Sequence, residues 1–217
     1  METTEDRIPL KRPDFLNVAA RVPVTEAEGP GRRFALWLQG CPLRCPGCCN
    51  PHMLEAKEVE WVPVEEMISE ILSSPEIEGI TVIGGEPFGQ AEALAKVCKA
   101  LREQGLSVMI FSGFTLKTLR SRNREDWNAL LEEVDLLVDG PYIQAQHVTD
   151  RRWIGSANQK VRFLTDRYAH LEESETGWDE GRNTIELRMT GNKITINGFP
   201  HPELTEKLAS LSLKRVK

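Results

Sequence analysis

The chain has 217 residues, 40% apolar and 28% charged, which is enough to bury one core and argues against a disordered polymer. A formal charge of −6 and a pI near 5.4 exclude general electrostatic attraction to phosphate backbones or anionic membranes. The opening METTEDRIPLKRPDF lacks the apolar run of a signal peptide, and no stretch approaches the roughly 20 apolar residues of a membrane span, so the expectation is a soluble, cytoplasmic protein with no nucleic-acid or membrane partner.

In chain order, the apolar run Phe34 to Leu38 predicts a strand, and Val64, Met67, Ile68, Ile71 and Leu72 fall at helical spacing. Ile80 to Ile83 predicts a second strand. A helix follows from about Gln90, with Leu94, Val97 and Leu101 on one face and Gly105 placed to cap it. Val108 to Phe111 predicts a third strand, then short helices near Thr115 and Trp127, then strands at Asp135 to Val138 and Val161 to Leu164. Alternating strands and helices predict an α/β fold with a mainly parallel sheet and crossover helices.

The end of the chain differs. Thr184 to Met189 and Lys193 to Asn197 flank Gly191-Asn192, which predicts an antiparallel hairpin before a last helix around Glu203 to Ser210. The polar stretch Glu172 to Arg182 reads as a surface loop. The expectation is one domain over residues 1–217, with a core at about 29–168 and a C-terminal extension at about 183–217.

Four of the five cysteines lie between Cys41 and Cys49, an arrangement that gathers sulfurs at one point instead of stapling distant segments. Cys41, Cys45 and Cys48 have C-x3-C-x2-C spacing and directly follow the Phe34 to Leu38 strand, at the end of a sheet where α/β proteins place ligands. A four-iron cluster ordinarily takes four thiolates; three leave one iron open to a reactant. Zinc would need a fourth ligand from Cys49 or His52, and adjacent Cys48 and Cys49 are poor geometry for shared ligation. Cys98 sits among Leu94, Val97 and Leu101 on a helix and reads as packing.

These residues resemble the radical S-adenosylmethionine (SAM) superfamily, and over most of the chain the glycyl-radical-activating members, above all the anaerobic ribonucleotide reductase activating proteins. The resemblance runs in order through Gly29-Pro30-Gly31-Arg32, Gln39-Gly40-Cys41, Cys45-Pro46-Gly47-Cys48 and Asn50-Pro51. It continues through Gly84-Gly85-Glu86-Pro87, Phe111-Ser112-Gly113-Phe114-Thr115, Asp139-Gly140-Pro141-Tyr142 and Gly155-Ser156-Ala157-Asn158-Gln159. It implies an incomplete parallel β/α barrel, here with a C-terminal hairpin and helix. It further implies a [4Fe-4S] cluster on Cys41, Cys45 and Cys48, with SAM contacts from Gly47, Cys49, Gly84, Gly85, Glu86, Ser112, Gly113 and Asn158. In that family the Glu86 carboxylate is available to the ammonium of SAM. Two departures stand out: Cys49 occupies a position that is commonly aromatic in the family, and the tail from about Thr184 exceeds the short activating proteins.

Each block has a plainer reading by itself. Gly84-Gly85 is a common strand-to-helix turn in which Pro87 pre-sets the next helix, and Ser112-Gly113, Asp139 and Ser156 to Asn158 are ordinary turn or capping residues. His52, His147, His170 and His201 are scattered, and no Ser/His/Asp or paired-carboxylate spacing supports hydrolysis. The resemblance implies an oxidoreductase that, given an electron from a donor such as flavodoxin or ferredoxin, cleaves SAM and abstracts a glycine Cα hydrogen from a large glycyl-radical enzyme. Two alternatives are a radical SAM enzyme acting on a peptide or small molecule and a non-catalytic, metal-stabilised binding module.

Overall fold

The structure, a computed structural model, describes residues 12–172, Trp178, 183–190, 193–199, Glu203, Leu204 and Lys207. The expected Gly191-Asn192 turn and most of the Glu172 to Arg182 loop and of the last helix lie outside the described residues.

The strands β1 (Phe15–Thr25), β2 (Arg33–Leu38), β3 (Trp61–Pro63), β4 (Gly79–Gly84), β5 (Ser107–Ser112), β6 (Leu136–Asp139) and β7 (Lys160–Phe163) form one sheet in the order β3-β1-β2-β4-β5-β6-β7. β2, β4, β5 and β6 run parallel. Their crossovers carry α1 (Val64–Leu72), α2 (Ala91–Glu103), and α3 (Leu116–Ser121) with α4 (Glu125–Glu132). The short α5 (Ala169–Glu172) follows β7, and β8 (Ile185–Thr190) pairs antiparallel with β9 (Lys193–Gly198) as a separate hairpin. The sheet does not close, so the architecture is the expected partial barrel.

The short β3 and α5 were not foreseen, and two larger features also depart from the sequence expectation. β1 was not foreseen: it is antiparallel to β2, and Pro23 and the polar Asn17 and Arg21 break the alternation that marks a strand. The pairing tolerates Pro23 because the register skips from Val22 to Thr25. β7 is antiparallel to β6, because their connection holds no described α-helix, only a 3-10 turn at Gln144–Gln146, and cannot supply a crossover.

Alternation along the strands separates two faces. Phe34, Leu36, Leu38, Ile80, Val82, Val108, Ile110 and Leu137 point to the helices and pack with Met67, Ile71, Leu94, Val97 and Leu101. Each such buried side chain contributes about 1.5–3 kcal/mol of transfer free energy. Cys98 is buried in this layer, as packing requires. Met109, Leu136, Val138 and the half-buried Phe111 line the concave face with Trp153, Ile154, Tyr168 and Trp178. Gly105 ends α2 with φ +82 while Leu106 N–H bonds the Leu101 carbonyl at 3.1 Å, the expected cap.

The base of the concave face holds a charge that periodicity could not reveal. Arg33 is fully buried and donates to Thr81 Oγ1 at 2.6 Å, Ser107 Oγ at 3.0 Å and Tyr168 Oη at 3.1 Å. Tyr168 in turn donates to Glu78, so the guanidinium is held within a satisfied polar network.

Candidate metal centre

Because β2, β4, β5 and β6 are parallel and in register, Leu38 lies beside Gly84, and Ser112 beside Asp139, at one edge of the sheet. The cysteine loop leaves this edge through left-handed residues Gly40 (φ 94), Arg44 (φ 48) and Gly47 (φ 76). Gly40 N–H bonds the Met53 carbonyl at 2.8 Å, Cys41 N–H the Leu54 carbonyl at 3.1 Å, and Glu86 N–H the Gly40 carbonyl at 2.9 Å. Gln39 Nε2 donates to the Glu55 carbonyl at 2.7 Å, and buried Gln90 grips both Asn17 N–H (2.7 Å) and the Gln39 carbonyl (3.2 Å). The loop is thus clamped on both sides, by Gln39, which the resemblance includes, and by Asn17 and Gln90, to which the sequence assigned no site role.

Cys41 is buried, Cys45 and Cys48 are half-buried, and Cys49 is exposed. Burial pushes the Cys41 thiol up to about 12, although the amides of Leu43 and Arg44 turn toward its sulfur. Burial also raises Cys45, against a hydrogen bond from the Tyr142 amide. Cys48 is lowered to about 6 by the hydrogen bond from Cys49, and Asn50 N–H lies 3.4 Å from its sulfur; the same bond raises Cys49. Backbone donors aimed at three sulfurs on one loop suit thiolates that hold iron, since such bonds stabilise cluster sulfur. Among the described residues no three His, Cys, Asp or Glu side chains converge on a single-ion site. A four-iron cluster does not need that convergence, because it takes its thiolates on separate corners.

The neighbouring blocks meet this loop. A side chain at Gly85 would put Cβ 2.3 Å from the Gly40 carbonyl oxygen, and one at Gly84 would lie 2.6 Å from Leu38 N. The paired glycines are therefore required by chain-to-chain approach. Gly113 leaves room for Leu43 of the cysteine loop, whose Cδ1 would be 2.3 Å from an added Cβ. Glu86 is buried with its carboxylate accepting from Phe88 N–H (3.1 Å), Ser112 Oγ (2.9 Å) and Gly113 N–H (2.9 Å). It ties the end of β4 to the end of β5, and burial raises it to about 7.

Asn158 lies on the far side of the edge, donating to the Pro141 carbonyl at 2.8 Å and accepting from Ser156 Oγ at 2.8 Å. Its amide braces the loop whose Tyr142 amide faces Cys45. Asp139 accepts from Leu116 N–H at 2.6 Å and from Arg162 Nε at 3.1 Å, a capping role. A cleft of about 560 Å³ lined by Pro46, Tyr142, Ile143, Gln144 and Ala145 opens beside the cysteines. No helix among the described residues is long and apolar enough to cross a membrane.

This arrangement, three thiols on one loop at the carboxyl edge of a half-barrel, defines an iron–sulfur enzyme class. The chain belongs to the radical SAM proteins of glycyl-radical-activating type through the family described as 4Fe-4S single cluster domain, whose model matches residues 27–162. It is similar to the anaerobic ribonucleoside-triphosphate reductase-activating protein of Vibrio cholerae, 29% identical over 158 residues, which is 69% of this chain and 99% of that protein. The protein of the same description from Salmonella typhi is 30% identical over 150 residues, 65% of this chain and 95% of the relative. The pyruvate formate-lyase-activating enzyme of Staphylococcus epidermidis is 42% identical over 89 residues, 38% of this chain and 36% of that enzyme.

Proposed function

We propose that this chain is a glycyl-radical activase, holding a [4Fe-4S] cluster on Cys41, Cys45 and Cys48 and removing a Cα hydrogen from a glycine of a partner enzyme, anaerobic ribonucleotide reductase first among candidates. The observation that carries this is the three-thiol loop set against Gly84 to Glu86, within a matched segment shared with relatives of that description. When bound, the reduced cluster and SAM supply a hydrogen-abstracting carbon radical: one electron, SAM and glycine become methionine, 5′-deoxyadenosine and a glycyl radical.

The chain's own residues fix positions. Gly84, Gly85, Ser112 and Gly113 bring two backbone turns to the edge where SAM would lie, and Glu86 holds those turns together. These hydrogen bonds support a bracing role for this carboxylate, beside the ammonium contact implied by the resemblance. Gly47 and Cys49 flank the third cysteine, on the surface where adenine would pack. Asn158 sets the Gly140-Pro141 loop against Cys45. Half-exposed Cys45 and Cys48 give an electron donor such as flavodoxin or ferredoxin a short path from the surface. Residues about 29–168 are the core of one domain, extended by about 183–217, and the working compartment is the cytoplasm, where thiols stay reduced.

A second reading, a peptide or small-molecule substrate, is favoured by the close to one-third of the chain that the Vibrio relative leaves unmatched. Anaerobic reconstitution, dithionite, SAM and the candidate reductase decide between them. A glycyl-radical doublet in the electron paramagnetic resonance spectrum of the reductase, with stoichiometric 5′-deoxyadenosine, is expected. Abundant 5′-deoxyadenosine without a doublet would favour the second reading, and none at all would overturn both.

A further inference from the structure

The family match ends at residue 162, yet the chain after it returns to the concave face. At one end, Asn183 Oδ1 accepts from Trp153 N–H at 2.8 Å and Asn183 Nδ2 donates to the Arg151 carbonyl at 3.3 Å. Trp178 donates to the Arg152 carbonyl at 2.8 Å, with its ring 5.0 Å from Trp153 and 6.0 Å from Phe163 of β7. Trp153 is a bulky residue at φ 55, a conformation that persists only where neighbours hold it.

At the other end, the hairpin grips the segment leading out of β1. Gly198 N–H donates to buried Glu28 at 2.6 Å, Asn197 Nδ2 to Thr25 Oγ1 at 2.9 Å, and Arg188 to the Val24 carbonyl, while Glu186 accepts from Glu26 N–H at 2.9 Å. β1 and β7 are separated by β2, β4, β5 and β6, so a segment that touches both sides must cross the opening of the half-barrel. On the way Phe199 stacks on Phe111 of the concave face, ring centres 5.9 Å apart. β8 and β9 form their own sheet, so among the described residues side chains and the Gly198 amide fasten the hairpin, and Leu187 and Met189 face outward, 51% and 77% exposed.

We propose that residues 183–190 and 193–199 form a strap that closes the open side of the half-barrel and sets Phe199 into the wall of the reaction chamber. The consequence is that a substrate reaches the cluster from the cysteine-loop side, where the cleft at Tyr142 and Ile143 lies, and not across the strap. That consequence rests on the activase reading; the closure itself does not.

Hydrogen exchange by mass spectrometry on the anaerobically reconstituted full chain tests it, because Glu26 and Trp153 each offer the strap an amide from opposite sides of the opening. The perturbation is Gly198→Val, whose Cβ would lie 2.3 Å from the Thr184 carbonyl oxygen at a backbone φ of +100. Expected is protection of both amides in the parent chain and at least tenfold faster exchange of both in the variant, since Gly198 packs against Thr184, the neighbour of the Asn183 that holds Trp153 N–H. Unchanged exchange at Trp153, or no protection in the parent, overturns the strap. Should Gly198→Val fail to fold, Thr25→Val removes the Asn197 bond, together with the Ala27 N–H bond to the same oxygen, without backbone strain and carries the same expectation at Trp153, with a smaller acceleration. Exchange needs no turnover, so its failure is distinguishable from failure of the proposed chemistry.

Discussion

Substitution Gly85→Ala separates a glycine needed for packing from one needed for backbone freedom. The added Cβ would lie 2.3, 2.8 and 2.9 Å from the Gly40 carbonyl oxygen, carbonyl carbon and nitrogen, all backbone atoms that no rotamer change relieves. Ordinary contact begins at 3.4 Å, so the turn after β4 and the start of the cysteine loop must part by about 1 Å. Overpacking of this kind costs about 1–3 kcal/mol, and each kcal/mol lowers the midpoint of a chain this size by roughly 2–4 °C. A displacement of about 1 Å at the residue before Cys41 is expected to cost on the order of 10²-fold in 5′-deoxyadenosine formation. The control is Gly105→Ala, at φ +82 with nothing within 4 Å of its Cβ, which strains the backbone and leaves the site intact. Thermal circular dichroism and anaerobic turnover of both variants provide the measurements. A Gly85→Ala protein with parental midpoint and turnover would refute the close-approach argument.

Further outcomes follow from particular residues. Cys41→Ala, Cys45→Ala and Cys48→Ala should each abolish cluster iron and 5′-deoxyadenosine, whereas Cys98→Ala should keep both at a cost of about 1 kcal/mol in stability, read by iron assay and thermal melts. Glu28 is raised to about 7, first by burial and then by Glu186, against hydrogen bonds from Gly198 and Asn197. A carboxyl raised in the folded state contributes stability that is fully present below its unfolded value and lost as pH rises through about 7. Between pH 5 and pH 8 the melting midpoint of the parent should therefore fall relative to Glu28→Gln, and parallel pH profiles would contradict this. Arg33→Met removes the buried donor shared by Thr81, Ser107 and Tyr168, of which Ser107 and Tyr168 keep each other, and should cost roughly 1–3 kcal/mol, visible as a drop in denaturant midpoint.

Much of the core was legible because its signals are local. The strands β2, β4, β5 and β6 and the helices α1 and α2 announce themselves by apolar runs or by a helical period, and both depend on residues a few positions apart. β1 was hidden by Pro23 and a register shift, and the direction of β7 was hidden because parallel or antiparallel pairing depends on what the connection contains.

By itself the sequence determined the chemistry: the spacing of Cys41, Cys45 and Cys48 and the turn residues around them can be read without coordinates. Only the tertiary structure decided how that chemistry is held and enclosed. Glu86 reads as a ligand contact in the chain, and only the fold reveals that its carboxylate also joins the ends of β4 and β5. Arg33 and Tyr168 meet across 135 positions, and Glu28 and Gly198 across 170. Contacts at such separations carry no local period; they exist because a half-barrel brings distant segments onto one face, where a buried charge or an open side must find its partner.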